Sequence, residues 1–237
     1  MTRRGTGRRA AGAGVLAAAL LVPLLPLLLW AVAGEFRYPA LVPTFSGRGL
    51  QLLGEPAVRS AMGTSLLIAL TVAALATLVG ARPGGRSAST CFRYGLGDTV
   101  AGVVLVQLIP TVPYASLVMA ASFASFDVDT EDAGRVLGAG PLRRLRHVTL
   151  PAVAPGLAVA ALFAFLISWS EYILTLLIGG GTVQTLPLLL FASIGSADLT
   201  AAAALSLVIA APPVLLVGLT ARFLTGASPA VVGFGRL

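Results

Sequence analysis

Long apolar runs separated by short polar stretches dominate this chain. A helix that crosses a hydrocarbon core of about 30 Å needs about 20 predominantly apolar residues, and a helix in a soluble core does not need that length without a charge. Five uncharged runs qualify: Ala10–Gly34, Ser60–Ala81, Thr99–Phe126, Val148–Ser170 and Leu199–Ala221. The pattern predicts an all-α, polytopic membrane protein with about five transmembrane helices.

The composition supports this class. Charged residues make up 11% of the chain, whereas soluble domains have about 25%. The 16 basic residues, all Arg, exceed the 9 acids. In a membrane protein this excess indicates orientation signals and contact with anionic headgroups, so the expected partner is the lipid bilayer and not a nucleic acid. The absence of Lys also excludes a phosphate-binding P-loop at glycines 179–181, because that loop needs its Lys.

Neither a disulfide nor a metal site is predicted. Cys91 is the only cysteine, so no intrachain disulfide can form. His147 has no second His and no Cys near it in sequence, and no metal site is expected there.

The N-terminal end resembles a secretory signal, with four arginines before an apolar run. The apolar part is longer than the 7–15 residues of a signal core, so we predict a retained helix with its N-terminus in the cytoplasm. The predicted domains are residues 1–59, a transmembrane helix with an extracytoplasmic loop; residues 60–224, a transmembrane domain; and residues 225–237, a C-terminal tail.

Two of the spans carry features that affect helix continuity. Pro110 and Pro113 predict a break in the third span, which a membrane tolerates only where protein or cavity water satisfies the freed backbone groups. This helix is therefore expected to face other protein or a lumen. The fourth helix is expected to continue past Glu171 to about Ile178, and the apolar segment 188–194 is too short to span.

A polar stretch at residues 127–151 differs from everything around it, with four of the nine acids, four arginines and the only His. Residues 127–130 offer helix N-cap chemistry, and two glycines and Pro141 then interrupt the helix. We predict a helix, a turn and a second short helix, with Arg143, Arg144 and Arg146 outward and apolar contacts from Leu137, Leu142 and Leu145. Dense positive charge favours the cytoplasmic side; a solvated basic loop is the alternative.

The spacing within this stretch matches a known pattern: Glu-Ala-Ala, three residues, Gly, nine residues, an aliphatic residue, any residue, then Leu-Pro. It falls here on Asp132-Ala133-Gly134, Gly138, Val148, Leu150 and Pro151, followed by Pro155-Gly156. The stretch thus resembles the signature loop of the permease subunits of ABC importers. Asp132 and Gly134 stand where the family usually has Glu and Ala.

Other segments between about Thr64 and Leu224 are similar to the same family. Thr64–Leu70 resembles the start of its transmembrane domain, Pro113–Val118 the helix before the loop, and Ser168–Tyr172 with Thr185–Leu188 the segment after it. In detail the chain is most similar to the subgroup for polyamines, thiamine, ferric iron or phosphonates, with the sugar permeases next.

The resemblance implies a type I importer permease core, normally of six spans, whose loop forms a coupling helix on a cytoplasmic ATPase. The residues it assigns to ATPase coupling are Glu131, Asp132, Ala133, Gly134, Gly138, Ala139, Leu150 and Pro151. It implies a pair of ATPase subunits that bind the ATP, a second permease subunit (a homo- or heterodimer) and an extracytoplasmic substrate-binding protein, in a bacterial inner membrane. The chain itself is expected to move a small polar solute, without catalysis or cofactor.

Candidate lumen or gate residues are Pro110, Pro113, Trp169 and Glu171. Glu171 is the only acid in a long apolar region, near the far end of its helix, and acids in membrane segments tend to face cavities. An interfacial carboxylate in contact with water is the alternative, and interfacial anchoring is the default for Trp169 and Tyr172.

The count of five spans conflicts with six. With the N-terminus inside, five crossings place the polar stretch outside, away from an ATPase. Either the first segment does not cross fully, or the chain lacks one helix near residues 81–99 and acts as a degenerate, structural permease. Cys91 tests this, because a coupled permease predicts that a membrane-impermeant thiol reagent labels it in intact cells.

Two other classes are disfavoured. An independent channel or secondary transporter would call for a chain of intramembrane acids or an internal repeat. An intramembrane protease would call for paired catalytic acids or a Ser/His set within the spans. Neither pattern is found in the sequence.

Overall fold

The computed structural model describes residues 22, 24–32, 47–81, 97–125, 135, 136, 138 and 140–226, with side chains up to residue 216. Every regular element within these residues is a helix. In chain order they are α1 (Leu24–Val32), α2 (Arg48–Leu52), α3 (Pro56–Gly80), α4 (Val100–Ala124), α5 (Pro141–Trp169), α6 (Ile173–Gly179), α7 (Leu186–Gly195) and α8 (Leu199–Gly226). The predicted all-α class is confirmed.

Four of these helices are long and apolar enough to cross a membrane: α3, α4, α5 and the Leu199–Leu216 part of α8. They correspond to four of the five predicted spans. The first predicted span is described only as the nine residues of α1, and the rest of it lies outside the described residues. Helix α7 is the apolar segment that was predicted to be too short to span.

Helix α4 runs without interruption although it contains Pro110 and Pro113. The predicted break in this span is therefore wrong. Each proline removes one backbone N–H and crowds the carbonyl four residues earlier, but buried residues of α4 lie in one cluster with residues of α3 and α5. Neighbouring helices of this kind make proline tolerable inside a membrane helix, and the expectation that α4 faces other protein agrees with the structure.

Residues Ser60–Leu188 form one compact unit around this buried cluster. Within it, α4 and α5 are antiparallel. Gly156, in the middle of α5, lies against Ser122, near the end of α4. Ser168, near the end of α5, hydrogen-bonds Gln107, near the start of α4. The start of α5 and the end of α4 therefore share one end of the unit.

Helices α3 and α4, in contrast, run in the same direction. At one end, a Cβ added to Gly80 of α3 would lie 3.0 Å from the backbone nitrogen of Ser116 in α4. At the other end, the backbone N–H of Leu186 donates to the Ser65 hydroxyl of α3 at 2.9 Å. Leu186 follows closely on the turn at residues 179–183, which packs on Val103 near the start of α4. Both helices thus lead from this turn towards the start of α5.

The parallel arrangement places the end of α3 and the start of α4 at opposite ends of the unit. Gly80 lies level with Ser116, which is roughly 24 Å of helix away from the start of α4 at Val100. Residues 82–96, which join these two helices, lie outside the described residues. The described residues contain four helices long enough to span a membrane, so the total number of crossings stays a prediction.

The two ends of this unit carry opposite charge in the described residues. The arginine end, where α4 ends and α5 begins, has Arg143, Arg144 and Arg146. The acidic end, where α4 begins and α5 ends, has Asp98 and Glu171. Because positive charge is retained on the cytoplasmic side of membrane proteins, the arginine end is expected to face the cytoplasm.

The other compact unit comprises Met1–Arg59 and Leu189–Leu237. Its described core is small: Ala31 of α1 packs with Ala203 and Ala204 of α8. Asp198 ties α8 to α2, since its Oδ1 accepts the N–H of Ala201 at 3.0 Å in the first turn of α8 and its Oδ2 pairs with Arg48 at 3.2 Å. One carboxylate thus serves as a helix cap and as an ion-pair partner.

Replacing Gly80 with Val is expected to destabilise the Ser60–Leu188 unit, because the new side chain would press on the Ser116 backbone. Overpacking of this kind costs about 1–3 kcal/mol. Gly63→Val on the same helix is the matched control, since a Cβ there meets open space. Thermal denaturation in detergent, followed by size-exclusion chromatography, should give a lower midpoint for Gly80→Val alone. Equal midpoints would contradict the close contact of α3 and α4.

Single cysteines can establish which end of the unit faces the cytoplasm. In a Cys91→Ser background, Arg146→Cys at the arginine end should be protected from a membrane-impermeant thiol reagent in intact cells. Gln184→Cys, exposed near the acidic end, should react, and both should react after permeabilisation. The reverse pattern would contradict the orientation. Cys91 itself lies outside the described residues, and its labelling stays a prediction.

Candidate functional site at the two ends of helix α5

The predicted ATPase-coupling residues are only partly described. Gly138, Leu150 and Pro151 are described, whereas Glu131, Asp132, Ala133, Gly134 and Ala139 lie outside the described residues. Gly138 adopts the left-handed conformation, with φ of +79°, and its N–H donates to the carbonyl of Arg135 at 3.0 Å. This tight turn needs glycine, because a Cβ disfavours that backbone conformation.

The segment after this turn is not a separate short helix, as predicted, but the beginning of α5. Pro141 opens a helix of 29 residues that ends at Trp169, about 43 Å long at 1.5 Å per residue. Residues Leu145–Thr149 form one wider π-helical turn, in which the N–H of Leu150 bonds the carbonyl of Leu145. Such turns often lie at functional sites. The arginine end is thus continuous, through helix backbone, with the far end of the span.

The arginine end presents an exposed surface of apolar and basic side chains, which we call the α5 entry surface. Its apolar members are Val136, Leu142, Leu145 and Leu150, of which Leu142 is 77% exposed. Arg143 and Arg146 are exposed, as predicted. Arg144 is not, since it is half-buried, and its Nε and Nη1 are buried without a hydrogen-bond partner in the described part of the chain. A mixed surface of this kind suits a protein groove better than water alone.

The far end of α5 differs from the prediction. The helix stops at Trp169, residues 170–172 break it, and α6 begins at Ile173, so the continuous helix predicted through Glu171 is wrong. Glu171 lies in the break, half-buried, and its Oε1 accepts the N–H of Leu174 at 3.0 Å. The carboxylate therefore caps the first turn of α6, where the positive helix end favours an anion.

The other candidate gate residues have mixed surroundings. Trp169 is buried and stacks on Phe165 with ring centroids 5.7 Å apart, so interfacial anchoring by an exposed ring, the default expectation, does not fit it. Tyr172 is half-buried, Pro110 is half-buried and Pro113 is exposed. Trp169 and Glu171 lie close together in the chain, whereas the described coupling candidates, Gly138, Leu150 and Pro151, lie towards the other end of α5.

A buried polar cluster of Gln107, Thr111, Ser168 and Thr175 was not predicted from the sequence. The Gln107 carboxamide donates from Nε2 to the Thr175 hydroxyl at 2.9 Å and accepts at Oε1 from the Ser168 hydroxyl. Thr111 donates to the Gln107 carbonyl at 2.7 Å. All four residues are at least nine-tenths buried. The cluster therefore ties together α4, α5 and α6.

One signal in the sequence could have revealed this cluster. Gln107 is the only amide side chain in the five apolar runs, and polar groups inside membrane spans are usually paired and functional. The partners could not be read, because Ser and Thr residues are scattered through several spans. Interhelical hydrogen bonds in membranes contribute about 0.6 kcal/mol on average and up to about 1.7 kcal/mol, so this set of bonds helps to fix the position of α6.

The described residues contain no group of His, Cys, Asp and Glu that could hold a metal ion. At the acidic end, the Glu171 carboxylate caps α6, and the buried hydroxyls of Ser168 and Thr175 hold neighbouring helices together. The arginine end can offer a docking surface. Neither arrangement resembles a nucleophile with its general base.

Comparison with known families covers nearly the whole chain. The model of the family described as "Binding-protein-dependent transport system inner membrane component" matches residues 12–227. The match includes all of α5 and both of its ends.

Individual relatives match over different lengths. "Putative ABC transporter permease protein ORF1" of Streptomyces antibioticus is 39% identical over 105 residues, 44% of this chain and 46% of the relative. "Trehalose transport system permease protein SugB" of Mycobacterium tuberculosis is 35% identical over 82 residues, 35% of this chain and 30% of the relative. "Putrescine transport system permease protein PotI" of Escherichia coli is 24% identical over 216 residues, 74% of this chain and 75% of the relative. The chain spans less than half the length of the first two.

These relatives are named as transport permeases, and the predicted membrane transport class agrees with their names. The predicted resemblance is confirmed as well, since the family match extends far beyond the polar stretch that suggested it. The chain belongs to the family of binding-protein-dependent transport system inner membrane components.

Proposed function

We propose that this chain is a transmembrane permease subunit of an ATP-driven importer and that its arginine end docks on a cytoplasmic ATPase. The observation that carries the proposal is the α5 entry surface, with Leu142 and Leu145 exposed beside two exposed arginines on a helix continuous with a membrane span. Apolar surface of this kind, rimmed by polar groups, marks a site of protein contact. The left-handed Gly138 gives the chain its turn directly before it.

The same proposal assigns ATP to a partner. Two ATPase subunits would bind and hydrolyse it, while this chain holds no cofactor. A second permease subunit would complete the pathway, as a homodimer or a heterodimer, and an extracytoplasmic binding protein would deliver the solute at the acidic end. The assembly would lie in a bacterial inner membrane, with this chain crossing it several times.

The proposed cargo is a small polar solute, with a cationic one such as a polyamine favoured. The acidic end of the Ser60–Leu188 unit carries Asp98 and Glu171 among the described residues, and negative charge raises the local concentration of cations. A relative that matches over 216 residues is named for putrescine. A sugar-type permease is the second candidate, supported by the relative named for trehalose.

A degenerate permease with only a structural role is less well supported. That alternative depends on a helix missing near residues 81–99. The end of α3 and the start of α4 lie at opposite ends of the unit, which favours a chain that traverses the unit between them.

Replacing Gly138 with Ala should weaken association with the ATPase that copurifies with the wild-type chain. A residue with a Cβ loses roughly 1–2 kcal/mol in the left-handed conformation, and 1.4 kcal/mol corresponds to about tenfold in affinity. Gly140→Ala is the control, because Gly140 has φ of −62° and open space around it. Quantitative copurification from membranes measures both variants.

The expected result is a several-fold loss of copurified ATPase for Gly138→Ala and wild-type recovery for Gly140→Ala, with equal amounts of permease in the membrane. Recovery of no ATPase with the wild-type chain, or equal recovery with both variants, would contradict the proposed docking surface.

A further inference from the structure

We infer that Gln107 is a positioning residue that links the far end of α5 to α6, so that movement of α5 at the ATPase side moves α6 at the acidic end. The inference rests on the proposed function, because it supplies the transmission between ATPase docking and the opposite face of the membrane. The three side chains concerned are Gln107, Ser168 and Thr175, which we call the Gln107 clamp.

The clamp makes one bond to each neighbouring helix. Gln107 lies on α4, and its carboxamide uses Oε1 for Ser168 of α5 and Nε2 for Thr175 of α6. Thr175 in turn donates to the carbonyl of Glu171 in the break, at 3.4 Å. Gln107 is 2% exposed and Thr175 fully buried, so water cannot take over these bonds.

Because the helix backbone is interrupted after α5, side-chain hydrogen bonds are needed to couple α5 to α6. Helix backbone transmits a displacement rigidly from Pro141 to Trp169, but residues 170–172 are not helical. Helix α6 packs on α4, and α4 packs on α5. A shift of α5 therefore reaches α6 through Gln107, whose two ends are bonded to the two helices, and through the short backbone link at the break.

The same cluster provides a matched control. Thr111 is fully buried one turn further along α4, but its hydroxyl bonds only the Gln107 carbonyl of its own helix. Thr111→Val removes a buried hydroxyl without touching a bond between helices. Ser168→Ala and Thr175→Val each remove one arm of the clamp at a similar cost in side-chain volume. Ser168→Thr keeps the hydroxyl and tests for rescue.

The experiment follows the two ends of α5 and α6 separately. The complex of this chain with its ATPase is reconstituted in lipid nanodiscs in a Cys91→Ser background, with an environment-sensitive fluorophore at either Arg146→Cys or Leu177→Cys. Both positions are exposed. ATP with vanadate is the probe, and the emission shift that it induces is measured for the reference chain and for each clamp variant. Size-exclusion chromatography confirms equal assembly.

In the reference chain we expect a shift at both labels. With Ser168→Ala or Thr175→Val the shift at residue 146 should persist, while that at residue 177 should fall about threefold or more. Thr111→Val and Ser168→Thr should leave both shifts unchanged. Gln107→Leu and Ser168→Ala remove the same hydrogen bond between α4 and α5. The double variant should therefore show the same emission shift at residue 177 as Gln107→Leu alone.

The outcomes separate the inference from the proposed function. If Ser168→Ala and Thr175→Val keep both shifts, or if Thr111→Val loses the shift at residue 177 equally, the clamp is overturned while ATPase docking stands. A reference chain that shifts only at residue 146 overturns the clamp as well. A reference chain with no shift at either label overturns the proposed function itself.

Discussion

Packing against helix α4 fixes the direction of α3 and α5, and the positions of the two candidate sites depend on that constraint. Lipid offers no hydrophobic drive for helices to associate, so close packing at small residues and interhelical hydrogen bonds must hold them together. Gly156 lets α5 approach α4 in the antiparallel sense, and Gly80 lets α3 approach it in the parallel sense. Helix α3 therefore ends, and helix α4 begins, at opposite ends of the Ser60–Leu188 unit. The expected cytoplasmic side of the arginine end follows from its positive charge.

Helix α5 connects the two candidate sites because it is a single helix over its full length. Its first turns carry the α5 entry surface, and its last residues meet the buried Gln107. The π-helical turn at Leu145–Thr149 is the one irregularity inside it, close to the prolines at 151 and 155, which have no N–H to give. The helix ends at Trp169. Beyond it, hydrogen bonds between side chains connect α5 to α6 through Gln107.

Much of this architecture could be predicted from the sequence because the solvent for most of the chain is lipid. Uncharged runs of the required length identified α3, α4, α5 and α8 directly. The parallel direction of α3 and α4 could not be found in this way, since hydropathy does not report how helices pack. The prolines of α4 misled for a related reason: proline breaks an isolated helix, but packing against α3 and α5 holds this one.

The candidate site was predicted at one end and missed at the other. Spacing identified the polar stretch, but the burial of Arg144 and the continuity of α5 depend on tertiary contacts. At the acidic end, Glu171 caps α6 because the helix breaks at residues 170–172. The sequence does not indicate this break, since none of these three residues is Gly or Pro. The partners of Gln107 come from two other helices, 61 and 68 residues away in sequence, and no local pattern specifies such pairs.

The central claim is that the α5 entry surface meets an ATPase, and photo-crosslinking in cells tests it most directly. A photoreactive amino acid placed at Leu142 should crosslink this chain to an ATPase subunit. The same amino acid at Gln184, near the acidic end, should not. A crosslink to the ATPase from residue 184, with none from residue 142, would contradict the account.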